Sequence, residues 1–130
     1  MLKKTAVIVA LIGGVLFAPV SSAVASPTAP AGQPCPAGNI CFYKDINFEG
    51  RLWSWNRGET EQWLKFTGLD EEASSIINNT SMTVRAHRLE GNRGDWVCVS
   101  ANGGQIPDLG AHNLNDAISS FQSSDYACIP

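Results

Sequence analysis

Two phrases carry the residues whose types and spacing suit chemistry best: Leu69 to Ile76 (LDEEASSI) and Leu114 to Phe121 (LNDAISSF). Each places an apolar residue, two acidic or amide residues, a two-residue spacer, two serines and a second apolar residue. Carboxylate, amide, hydroxyl and carbonyl oxygens are hard donors, the set that a six- to eight-coordinate cation such as calcium takes. The same hydroxyls can instead close a turn by hydrogen bonding to its backbone. Nucleophilic or metal-assisted hydrolysis has less support. The chain contains no G-x-S-x-G and no HExxH, and His87 and His112 lack ligand spacing to any Cys or carboxylate, so both are expected at the surface. Taken alone, Val97-Cys98-Val99 reads as two core-facing strand residues around a disulfide staple.

The elements that must position these residues belong to one exported domain. Lys3 and Lys4 precede an apolar run from Thr5 to Val20, and Ala23 and Ala25 supply a small-residue cleavage site, so residues 1–25 read as a secretory signal peptide. Gly13, Gly14 and Pro19 interrupt the run, which is short for a spanning helix of about 20 residues. Cleavage removes two of the nine basic residues and no acid, leaving seven against twelve and a net charge of −5. That balance offers nucleic acid no basic patch. The remainder is long enough for a single domain with one modest core, and a monomer is expected. Residues 26–36 (SPTAPAGQPCP) form a Pro-, Ala- and Gly-rich lead that becomes ordered near Cys35.

All four cysteines lie in the exported part, so two disulfides and no free nucleophilic thiol are expected. Of the three possible pairings the favoured one joins Cys35 to Cys41, around PAGNI, and Cys98 to Cys128, tying back the C-terminal segment. A zinc site fits poorly, because export is oxidising and no CxxC is present.

Secondary structure reads as all β. ICFYKD, RLWSW, MTVRAHRL and DWVCVS are short aromatic and β-branched runs, separated by the turn-forming NRGET, EGNRGD and SANGG. Only Glu61 to Phe66 suits a helical turn. Trp53, Trp55, Trp63 and Trp96 could line a sugar-stacking platform, although Trp53 and Trp55 equally suit the core and edge of one strand. A glycosylation sequon, Asn78 with Thr80, falls where a linker turn is expected. The repeat extends beyond the serine phrases: Tyr43 to Gly50 (YKDINFEG) aligns with Val84 to Gly91 (VRAHRLEG) at an offset of 41, and the serine phrases follow at 45. Gly50 and Gly91 suit a positive φ at a hairpin bend. Two copies of one unit, neither able to bury its apolar face alone, imply a sandwich.

Tyr43, Phe48 and Gly50 fit the hairpin signature Y/F/W-x-x-x-x-Y/F/W-x-G, and Asn115, Asp116, Ser119 and Ser120 fit N/D-N/D-x-x-S/T-S. From Asn39 to Cys128 the chain thereby resembles the βγ-crystallin family. Val84 and Leu89 replace aromatics in the second hairpin, and Glu71 stands where Asn or Asp is usual. The resemblance implies a disulfide-stapled sandwich of two Greek keys, about 39–80 and 82–130, within a domain spanning 37–130. It also implies calcium sites built from Asp70 and Glu71 in one key and Asn115 and Asp116 in the other. Ser74 and Ser119 would cross between keys, and carbonyls near Glu49 and Glu90 would complete each site. The Asn115-Asp116 site is expected to bind better than the one with Glu71.

The cysteine frame is similar to that of the streptomycete-type metalloproteinase inhibitors, small exported proteins with one crystallin-like domain. Cys35 and Cys41 match their close N-terminal disulfide, Cys98 and Cys128 the second, and Cys98-Val99 their reactive bond. The resemblance implies an inhibitor of secreted, thermolysin-like zinc proteases rather than an enzyme. Val99 would fill the apolar pocket after the scissile bond, Cys98 would face the metal, and Ser100 to Gly104 would give an unobstructed rigid loop. A calcium-binding extracellular module without inhibitory activity is the alternative.

Overall fold

The computed structural model describes residues 13–15, 32–56 and 59–129. The expected signal peptide and the first part of the lead therefore lie outside the described residues, apart from 13–15. Among the described residues seven strands form: β1 (Asn39–Tyr43), β2 (Leu52–Asn56), β3 (Ser75–Asn78), β4 (Thr83–Leu89), β5 (Arg93–Val99), β6 (Gly104–Ile106) and β7 (Ser120–Ser124). Short 3-10 turns occupy Ile46–Phe48, Leu64–Phe66 and Leu109–His112. The second of these is the expected helical turn.

The strands make two antiparallel sheets, ordered β2-β1-β3-β6 and β5-β4-β7. Period-two alternation sends one side of each strand into the space between them. Ile40, Phe42, Ile76 and Ile106 face Val84, Ala86, Val97, Val99 and Phe121 across a single core. Phe42, Trp55 and Phe121 pack as an aromatic cluster, with centroids 5.0 to 5.8 Å apart. Trp53 and Trp55 lie on that same inner side of β2, opposite Phe42 and Ile40, so they form no exposed sugar platform.

The two halves exchange elements. β6, from the second half, pairs with β3 of the first, and Glu61, from the first half, bridges to Phe121 on β7 of the second. Neither half closes its sheet without the other. The chain is an all-β βγ-crystallin-like sandwich of two Greek keys, with disulfides Cys35–Cys41 and Cys98–Cys128 and no free cysteine.

β1 is buried on both sides, and the lead is the reason. Cys35 joins Cys41 on its outer face, the Tyr43 hydroxyl donates to the Gln33 carbonyl at 2.9 Å, and Asn79 donates to the Cys35 carbonyl at 2.9 Å. Gly32 lies so close to the Phe48 carbonyl that an added Cβ would fall 1.5 Å from its oxygen, which excludes any side chain there.

Candidate functional site

The serine phrases do two jobs, one per serine. The second serine of each closes a hairpin. Ser75 donates to the Asp45 carbonyl at 2.6 Å and accepts the Phe48 N–H at 3.0 Å. Ser120 donates to the Leu89 carbonyl at 2.5 Å and accepts the Asn92 N–H at 3.0 Å. These equivalences correct the hairpin alignment. Asp45 corresponds to Leu89, Phe48 to Asn92, and Gly50 to Gly94, both glycines at φ +76. The Ser74 N–H reaches the Tyr43 carbonyl just as the Ser119 N–H reaches that of His87. The second hairpin is therefore His87 to Gly94, not Val84 to Gly91. Shared Glu-Gly pairs and apolar spacing produced the false register. The carbonyl equivalent to that of Glu49 belongs to Arg93, and the Glu90 carbonyl instead accepts the Arg93 Nε–H at 3.2 Å.

The first serine of the first phrase faces the opposite key. The Ser74 hydroxyl lies 3.3 Å from Asp116 Oδ1, and the Asn115 amide donates to Asp116 Oδ2 at 2.9 Å. The Asp116 N–H donates to the Ala73 carbonyl and the Glu71 N–H to that of Ile118, with both residues at positive φ. At Asp116 a carboxylate and a hydroxyl from different keys thus meet, hard oxygen donors that fit a calcium ion. In the other phrase Asp70 Oδ1 is buried without a partner among the described residues, while no side-chain hydrogen bond brings Ser119 to Glu71. No group of three or more His, Cys, Asp or Glu residues assembles a metal centre by itself among the described residues. Lys44 sits beside the first group. Its hydrogen bond to Glu72 is the main cause of its raised pKa, with smaller contributions from the charges of Glu72, Asp45 and Asp116.

Cys98-Val99 ends β5 rather than lying in a loop. Opposite it in β4 are Arg85 and Val84. Strand alternation turns Val97 and Val99 inward, and Val99 is 1% exposed in the core. Cys98 turns outward to Cys128. Because β5 is an edge strand, its far side has no strand partner among the described residues. Asn78 supports this end, donating to the Val99 and Ser100 carbonyls at 3.1 Å each and to the Met82 carbonyl at 2.8 Å. Fully buried at 0% exposure, Asn78 acts as the linker's polar staple and offers no glycosylation site. A side chain's reach across the sandwich leaves no local pattern, so the sequence marked Asn78 only as a sequon at a linker turn and not as a staple.

His87 departs from its expected surface place. It is 5% exposed, with Nδ1 unpartnered among the described residues and Nε2 3.4 Å from the Gln122 amide nitrogen. Burial, and secondarily the Arg85 charge, lowers its pKa below the usual 6.5. His112 is exposed, as expected.

Two crossed Greek keys with an edge strand stapled at Cys98 define a βγ-crystallin-class domain. Residues 28–99 match peptidase inhibitor family I36, so the chain belongs to that family of inhibitors. It is 31% identical over 94 residues to Spherulin-3A of Physarum polycephalum, covering 70% of this chain and 85% of that protein. The solution structure of Spherulin-3A superposes with a TM-score of 0.55 at 26% identity, covering 75% of this chain and 93% of that one. A structure concerned with the evolution of the eye-lens βγ-crystallin domain fold gives a TM-score of 0.65 at 26% identity, covering 72% and 93%. The βγ-crystallin of Ciona intestinalis gives 0.58 at 25%, covering 67% and 100%. The protein is thus a peptidase inhibitor by family, and its partner is a protease. No helix among the described residues is long and apolar enough to cross a membrane.

Proposed function

We propose that the protein is secreted and inhibits thermolysin-like zinc metalloproteases, with Cys98-Val99 as the reactive bond. The observation that carries this reading is the position of that bond: it ends an edge strand, is anchored by Cys98–Cys128, and closes the segment that matches the inhibitor family. An extended strand with a free edge can add to a protease cleft through backbone hydrogen bonds. Val99 is buried, so docking requires it to exchange one apolar enclosure, the core, for another, the pocket after the scissile bond. That exchange removes little net burial. Cys98–Cys128 keeps both sides of a cleaved bond attached and limits the ordering cost of binding.

The test is peptide hydrolysis by a thermolysin-type protease with and without the mature protein, followed by reduction and N-terminal sequencing after long incubation. Inhibition with a new N-terminus at Val99 is the expected result. Val99→Gly should weaken inhibition roughly ten- to a hundredfold, the loss of a buried Val worth about 1.5 to 3 kcal/mol. Val99→Phe, which suits the pocket alone, should overpack the core and lower the melting temperature. A fully active protease, or a Val99→Gly variant that unfolds while the intact protein inhibits through another bond, removes Cys98-Val99 from this role.

A second reading is favoured by the Ser74–Asp116 contact. We propose calcium bound by Asp116, Asn115 and Ser74 with carbonyls of the adjoining hairpin near Glu49, and more weakly by Asp70, Glu71 and Ser119. Bound there, the cation would neutralise the Asp116 charge and tie the keys together. Millimolar calcium should raise the melting temperature, as any ligand of the native state does. Asp116→Ala should reduce that rise more than Glu71→Ala. Equal melting curves with calcium and with chelator would leave the phrases their backbone role alone.

A further inference from the structure

The outer face of the β5-β4-β7 sheet carries a cation without an anion. Strand register places Arg85, His87, Trp96, Cys98 and Gln122 on this face, since Arg85 stands opposite Cys98 and Gln122, and His87 opposite Trp96. The Arg85 guanidinium lies over the Trp96 ring, 4.8 Å from its centroid. Its Nε is buried without an acceptor, and Arg85 forms no ion pair among the described residues. Beside it, the nine-tenths-buried His87 ring also has an unpartnered nitrogen, Nδ1. Trp96 is half exposed, at 49%.

Neighbouring cations are treated differently. Arg88 has Asp95 at 3.4 Å and Lys65 has Glu90 at 3.5 Å. Three of the seven basic residues outside the leader, Arg85, Arg88 and Arg93, lie on the β4–β5 hairpin of an otherwise acidic chain. Against Glu90 and Asp95 on the same hairpin they leave one net positive charge, which favours an acidic partner, and Arg and Trp are the residues that anchor protein interfaces.

We propose that this face is the anchoring surface for the target peptidase, and that Arg85, stacked on Trp96, receives a carboxylate side chain of that partner. The proposal rests on the inhibitor reading above and extends it. The surface adjoins the reactive bond, because Arg85 stands opposite Cys98 and Trp96 lies two residues before it on the same edge strand. A planar guanidinium held flat by an aromatic ring is oriented before docking, and its terminal nitrogens match the two oxygens of a carboxylate. Docking would then align the free edge of β5 with the cleft while the charge pair sets register.

Two measurements test the proposal separately. In the first, Arg85→Gln is compared with the intact protein against a thermolysin-type zinc protease over a range of salt concentrations. Arg85→Gln should slow association about tenfold at low salt and flatten its salt dependence, with the melting temperature unchanged. Arg85→Lys should recover part of the rate. Unchanged association and salt dependence would overturn the proposal, as would a large fall in melting temperature, which would make Arg85 a structural residue. In the second, N-acetyl-triglutamate is titrated into the isolated protein while the Arg85 Nε–H and Trp96 indole N–H signals are followed by NMR. Saturable shifts that vanish in Arg85→Gln support the carboxylate site, and their absence overturns it. Should the intact protein leave the protease active, the inhibitor reading falls by itself, and this titration alone decides whether Arg85 receives a carboxylate.

Discussion

At the scale of single residues, His87 has the clearest consequence. Its ring lies beside Arg85 of its own strand, against Trp96 of β5 with centroids 6.4 Å apart, and next to Gln122 of β7, and Nδ1 has no hydrogen-bond partner among the described residues. Its folded pKa is lowered, so the unfolded chain binds a proton more readily than the folded one. Stability from the neutral ring is therefore complete above the unfolded value of 6.5 and is lost as pH falls below it toward the folded value. The melting temperature should drop with acidification in that window, and His87→Gln should flatten the drop. An identical pH profile in the variant would assign the acid sensitivity elsewhere. The sequence gives no hint of this burial, because His87 alternates with inward Val84 and Ala86 as a surface residue would. It is buried by neighbours from two other strands. The serine phrases, by contrast, were legible, since the second serine of each acts on backbone whose position its own unit fixes.

At the scale of elements, the staples are unequal. Cys98–Cys128 closes a separation of 30 residues and Cys35–Cys41 one of 6. On the chain-entropy account these restrict the unfolded state by roughly 3.5 and 2 kcal/mol respectively. Replacing Cys98 and Cys128 with serine should lower the melting temperature more than replacing Cys35 and Cys41, and calorimetry checks the order. Tight burial of Cys41 would have to dominate for the reverse to occur. Strands β1, β2, β4 and β5 were readable from aromatic and β-branched runs. β3, β6 and β7 were not, because they are short and polar in part, and they become strands by pairing with partners remote in sequence. The run DWVCVS read as a strand, whereas the inhibitor resemblance pointed to a disulfide-held loop at Cys98-Val99. Alternation of Val97, Cys98 and Val99 in register with β4 decides the matter. The Glu61 segment shows the same limit, with a single bridge to Phe121 marking its place in the sheet.

At the scale of the whole molecule, the halves complete each other. Leu64 N–H donates to the Ser119 carbonyl and Leu109 N–H to that of Ser74, while Glu61 meets Phe121 as Ile106 meets Ile76. Residues 35–80 and 81–129 expressed separately should each remain unfolded by circular dichroism, since a lone half exposes its share of the core and lacks a strand partner. A separately folded half would show that the exchange is dispensable. The net negative charge and the absence of a basic stripe were legible from composition. The seat of Arg85 over Trp96 emerges only when β4 and β5 are paired.

These crosswise bonds have a further implication. Glu71 and Asp116, Ala73 and Ile118, Leu64 and Leu109, and Ser74 and Ser119 each stand 45 positions apart, and the Glu71–Ile118 and Leu64–Ser119 backbone bonds map onto the Asp116–Ala73 and Leu109–Ser74 bonds when the members of each pair are exchanged. That is the rule of an isologous contact, in which one patch recognises its own copy about a two-fold axis. The seam inside this chain has the symmetry of a homodimer whose subunits have been joined end to end. Because these four hydrogen bonds are between backbone groups, they do not depend on the side chains that distinguish the halves. Such a seam tolerates different side chains in the two halves, and here the first keeps the Tyr43–Phe48 aromatic corner while the second has His87 and Asn92 at the equivalent places.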